Sequence, residues 1–177
     1  MSLPNAAPPY LTTREDHLVA WLTAIAITIH ILESALPSPL PGIKPGLANA
    51  VTVAALVLFG WRTAVWVGLL RVVVGSLIIG TFLTPTFVLS LAGAVASLVV
   101  LVSAHQLPYL QFGPVGYCVL AALAHIAAQV GVAYLLFVPH HAILGLLPLL
   151  MTAALVFGLV TGFITKAAIA TLEQPTP

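Results

Sequence analysis

From Val72 to Thr165 the chain carries no aspartate, glutamate, lysine or arginine. A soluble domain spends about a quarter of its residues on those four types, because they cover its surface in water. A stretch this long without them has to sit in lipid. There, backbone polar groups are satisfied within helices, and each crossing takes about 20 apolar residues. The whole chain has five Lys and Arg and four Asp and Glu in 177 residues, and 61% of it is hydrophobic. The expected class is therefore all-α: a polytopic transmembrane helical bundle in a bacterial-type inner (cytoplasmic) membrane.

Proline, glycine and polar clusters divide the apolar mass into spans. They predict helices over residues 17–36, 47–59, 63–82, 87–104, 115–138 and 142–170, the last bent at Pro148. Six spans result, or five if the short second one is re-entrant. Residues 1–16 read as a flexible N-terminal tail, 17–170 as a single transmembrane domain and 171–177 as a C-terminal tail. The first apolar run lacks a basic leader and a small-x-small cleavage site, so it reads as a retained span. With the N-terminus inside, Arg14, Arg62 and Lys166 fall on the cytoplasmic side and Lys44 outside, which puts both termini in the cytoplasm.

Composition also excludes functions. A net charge of +1 offers no basic patch for nucleic acid. A single cysteine, Cys118, rules out an internal disulfide and a thiolate metal cluster. His140 and His141 are adjacent in a turn, with no carboxylate nearby in sequence, so no metal or cofactor is expected. No phosphate-binding GxxxxGK[ST] loop occurs, so any ATP-driven motor would be another chain. No catalytic residue is expected.

The residues that stand out are those that lipid penalises. Arg71 falls at the centre of the third span, where a charge costs about 2.5–3.5 kcal/mol on insertion scales. It either faces an internal cavity and holds an anionic or carbonyl group, or is a pin bonded to helix-end carbonyls or to Glu33. Glu33 is the only acid between Asp16 and Glu173. His30, three residues earlier, shares its helical face. With Ala20 at zero and ~100° per residue, Glu33 falls near 220° and His30 near 280°, whereas Ala20, Ala24 and Thr28 lie between about 0° and 80°. The first span thus has an ionisable face that points inward and a small-residue face open to close helix approach. Residues 37–49 read PSPLPGIKPGLAN: a stiffened loop with Lys44 as its only charge, followed by Asn49 at the start of span two. It is either a lid over an outward-facing site or a tight connection. Ser76 is the one polar side chain near Arg71 in sequence. His125 and Gln129 share a face of span five, lining the same cavity or making an interhelical bond. Gly75, Gly80, Gly93 and Gly158-xxx-Gly162 mark close helix packing.

Several of these residues also carry a resemblance. Glu33, Pro41-Gly42-Ile43-Lys44, Leu47-Ala48-Asn49, Leu70-Arg71, Gly75-Ser76, Gly80-Thr81-Phe82 and Ser90-Leu91-Ala92-Gly93 together resemble the membrane family called heptaprenyl diphosphate synthase component I, or Gx transporter family. Pro45 departs from it, standing where an aliphatic residue is expected. That family is in turn similar to the substrate-binding (S) subunits of energy-coupling factor transporters. The resemblance implies a six-helix bundle with a small-molecule site near the external face, under the loop after helix one. It implies Glu33, Lys44, Asn49, Arg71, His30 and Ser76 as substrate contacts. It also implies a transmembrane coupling subunit and ATPase subunits as partners, with Ala20, Ala24 and Thr28 at the interface. The enzymatic part of the family label does not carry over. Prenyl-chain elongation needs aspartate-rich Mg²⁺ sites, and this chain has one aspartate, Asp16. A non-catalytic membrane anchor or assembly subunit of an isoprenoid or redox enzyme is the competing reading.

Overall fold

The computed structural model describes residues 14–35, 47–107, 112–137 and 139–172. These form helices α1 (Arg14–Ala35), α2 (Leu47–Phe59), α3 (Trp61–Ile79), α4 (Pro85–Gln106), α5 (Pro114–Val132), a short α6 (Ala142–Gly145) and α7 (Leu147–Leu172). A π-helical turn, Ala133–Phe137, continues α5. Among the described residues there is no strand. Five segments are long and apolar enough to cross a membrane, and α2 is a shorter apolar sixth. The protein is a multi-pass helical bundle.

The ends of the helices follow local chemistry. Thr84 caps α4, its hydroxyl accepting from the Phe87 N–H at 3.5 Å, and Pro85 occupies the first turn, where a missing N–H costs nothing. Gly80 ends α3 in the left-handed conformation, with Thr81 N–H reaching back to the Ser76 carbonyl at 2.9 Å. Between α2 and α3 only Gly60 intervenes, at φ 89°. A side chain there would be strained, so glycine is what lets one residue reverse the chain.

The second span matches its expected bounds, residues 47–59. The last one differs. Rather than bending at Pro148, it breaks just before it: α6 ends at Gly145 and α7 starts at Leu147. Proline at the second position of α7 needs no N–H partner, so Pro148 sits in a first turn and spares the helix interior. The helix α1 also begins at Arg14, inside what reads from sequence as tail.

Neighbours in the bundle run α1–α3, α3–α4, α4–α5 and α5–α7, and α2 touches α1, α3, α5 and α7. The short α2 is therefore the most central helix. Its Val53, Ala55 and Leu56 are fully buried and join Ala26, Ala64, Val67, Leu101 and Ala121 in the main apolar core. Between α5 and α7 the packing is backbone against backbone. A Cβ added at Gly162 would come within 2.7 Å of the Val115 Cα, and one at Gly158 within 3.0 Å of the Val119 Cα. Those glycines let the two backbones meet, which in lipid is how helices gain dispersion energy.

Candidate functional site

Arg71 is the buried charge about which Asn49, Glu33 and His125 are placed. Its side chain is 5% exposed in the middle of α3, although it carries a permanent charge. Its Nη2 donates to the Asn49 Oδ1 at 2.8 Å. Asn49 and Arg71 lie equally far from Gly60 along the chain, so the α2–α3 hairpin sets them side by side. Glu33, also 5% exposed, lies within electrostatic reach of Arg71. One buried cation and one buried anion thus offset each other, which a lone charge in lipid lacks.

Helix α1 supplies its face as the periodicity requires. Thr23, Ala26 and Glu33 are buried and His30 half-buried, at spacings of three and four, while Ala20, Ala24 and Thr28 are exposed on the other side. His30 packs on α3 at Gly75, where an added Cβ would come within 3.2 Å of its ring. The Thr28 hydroxyl bonds its own helix at the Ala24 carbonyl, 2.8 Å away, leaving the outer stripe small and smooth.

A second histidine closes the cluster from α5. The His125 ring lies so tightly on α4 that a Cβ at Gly93 would come within 2.6 Å of it. Its Nδ1 is 3.5 Å from Ser97 Oγ, and that hydroxyl donates to the Ala121 carbonyl at 2.8 Å. His125 lies within electrostatic reach of both Arg71 and His30. The sequence left His125 between cavity lining and a single interhelical bond, and the fold brings it into the Arg71 neighbourhood. Of the two residues that position it, Gly93 stands out in the sequence as a packing glycine and in the family resemblance, and Ser97 carries no sequence signal.

Three buried side-chain atoms have no hydrogen-bond partner among the described residues: Arg71 Nε, Thr52 Oγ1 and Thr23 Oγ1. Thr52 stands one turn from Asn49 on the same face of α2. A buried unpaired donor costs about 1–3 kcal/mol, so such atoms mark positions where a polar group from outside the protein gains most. The remaining expected contacts fall elsewhere. Ser76 is buried, but its hydroxyl bonds its own helix at the Val73 carbonyl, 2.8 Å away. Lys44 and the rest of the proline-rich loop lie outside the described residues. No three metal-ligating side chains converge among the described residues.

Fold and site together define a class: a multi-pass helical membrane protein whose interior holds a charged and imidazole-bearing cluster in an otherwise apolar bundle. Comparison with family models makes it particular. The model described as heptaprenyl diphosphate synthase component I matches residues 22–168, and the chain belongs to that family. Neither a curated protein nor a solved structure matches it.

Proposed function

We propose that the protein is the substrate-binding membrane subunit of a multi-component uptake system of the energy-coupling-factor kind. Its substrate is a small amphipathic molecule related to vitamins, isoprenoids or redox cofactors. The observation that carries the reading is Arg71: buried, held by Asn49, facing Glu33, and with an Nε–H that no described protein group accepts. A guanidinium tied at one nitrogen and open at another is suited to receive a carboxylate or phosphate oxygen. We assign His30, Asn49 and Thr52 as the accompanying contacts from α1 and α2, with apolar residues of the bundle taking the rest of an amphipathic ligand. We assign Lys44, in the sequence after α1, and Ser76, five residues beyond Arg71 on α3, as further substrate contacts. The chain itself catalyses nothing.

In this reading the exposed Ala20, Ala24 and Thr28 stripe docks on a transmembrane coupling subunit, and separate ATPase subunits drive transport. The protein sits in the bacterial inner membrane with both termini cytoplasmic, so that the site opens outward.

One observation favours a second reading. The family description names a component of a synthase, which suits a non-catalytic anchor or assembly subunit for an isoprenoid enzyme. The only aspartate, Asp16, stands in the first turn of α1, whereas diphosphate chemistry needs several carboxylates to hold Mg²⁺. Native mass spectrometry of the protein purified in mild detergent separates the two. A retained small molecule supports uptake. Co-purification with a larger soluble enzyme and no small molecule supports the anchor.

A further inference from the structure

Away from Arg71, a groove of about 370 Å³ runs between α3 and α4 on the outside of the bundle. Trp61, Val65 and Leu69 line it from α3, and Leu98, Val99 and Val102 from α4. The α3 residues are four apart and form one stripe, about 12 Å long at 1.5 Å per residue. Gly68 deepens the floor: a Cβ there would come within 3.1 Å of Leu98 Cδ2, so Leu98 sinks toward the α3 backbone and leaves the groove open. Val99 on the opposite wall is 59% exposed, so the groove faces lipid.

The two ends of the groove differ. At Leu69 it is wholly apolar. At Trp61 it meets charge: the Arg62 Cζ lies 5.4 Å from the centre of the Trp61 ring, and Ser103 adds a hydroxyl from α4. This end is also the first turn of α3, where Gly60 provides no side-chain cap. The backbone N–H groups of a first helical turn lack intrahelical acceptors and carry the positive end of the helix dipole.

We propose that this groove holds one acyl chain of a membrane phospholipid with an anionic headgroup, its phosphate resting on Arg62 at the start of α3. The lining chooses the tail, because an apolar channel open along one side to the bilayer suits a chain that continues into lipid. The charge chooses the headgroup, because the guanidinium pairs with phosphate oxygens in a fork and the helix terminus adds to the same field. The Trp61 ring holds the guanidinium at the mouth of the groove. This site is independent of the Arg71 reading.

The test uses the full chain in bilayer discs containing equal phosphatidylglycerol and phosphatidylcholine, released into mild detergent for native mass spectrometry. Retained lipid should be enriched about fivefold in phosphatidylglycerol, the size expected for one cationic side chain at a membrane surface. Arg62→Gln should bring the ratio close to one, and Val99→Trp should lower total retained lipid. Equal retention of the two lipids by the wild-type chain would overturn the proposal. So would an unchanged ratio in Arg62→Gln, or a lipid-free dimer. A second measurement needs no variant: phosphatidylglycerol with a photoreactive acyl chain should mark residues 61–69 and 95–103. Marks spread evenly over all lipid-facing helices would overturn the site.

Discussion

Arg71 on α3 and Asn49 at the start of α2 are joined by a 2.8 Å hydrogen bond across the hairpin that Gly60 closes. The bond fixes one guanidinium nitrogen and the angle of the short central helix together. Loss of Asn49 therefore acts on both. Asn49→Ala leaves a buried guanidinium with one partner fewer, and we expect a loss of about 1–3 kcal/mol, read as a lower melting temperature in detergent. Asn49→Asp adds a second anion beside Arg71 and should retain more of the stability than Asn49→Ala. Equal melting of all three proteins would show the bond to be incidental.

Gly93 is where α4 makes room for His125. Gly93→Ala puts a methyl into the imidazole and should force it from its seat, at a cost of about 1–3 kcal/mol. His125→Ala in the same background removes the clash. The double variant should recover much of the lost stability, which thermal unfolding of the four proteins measures as a coupling. Simple additivity of the two changes would contradict the packing.

At Gly162 the obstacle is backbone, which cannot swing aside. Gly162→Leu should separate α5 from α7 and abolish the folded monomer on size-exclusion chromatography, while Gly145→Leu, with open space around it, should leave the profile unchanged. Equal profiles for the two would sink the close α5–α7 approach.

The exposed stripe on α1 gives a prediction of the opposite kind. Ala20→Leu with Ala24→Leu changes no contact inside the bundle, since both residues are exposed, so melting should move by less than about 0.5 kcal/mol. Co-purification with a coupling subunit should fall. Survival of partner binding in the double variant would make the stripe a lipid-facing surface.

Topology rests on α2. Its 13 residues reach about 20 Å, short of a hydrocarbon core of about 30 Å. If it counts as a crossing, a reporter fused after Thr176 that is active only outside the cytoplasm stays silent, as six spans with both ends inside require. Activity of that reporter would make α2 re-entrant or reverse the orientation.

Much of this was legible before any fold was known. The bounds of α2 could be read because a proline-rich stretch precedes it and Gly60 follows it, and both act locally on the backbone. The inward face of α1 could be read because lipid penalises Glu33 and His30 on the other side. Partnership was not legible. Whether Arg71 meets Glu33, Asn49 or both depends on how two hairpins pack, and no period in the sequence encodes that. The same holds for His125, whose seat depends on Gly93 in the preceding span. Pro148 misled because a proline in a long apolar run marks either a bend or a first turn. Only the break at Gly145 and Leu146 decides which.

On the proposed reading Arg71 serves a ligand as well as the fold. The direct measurement is ligand occupancy, by native mass spectrometry, of the double variant Glu33→Gln with Arg71→Met. Removing both charges spares the bundle an unpaired buried ion, so this protein should insert, fold and remain monomeric where the single variants lose stability. It should carry no small molecule while the wild-type chain does. A folded double variant with the wild-type ligand still bound would contradict that reading and leave Arg71 as the structural partner of Glu33.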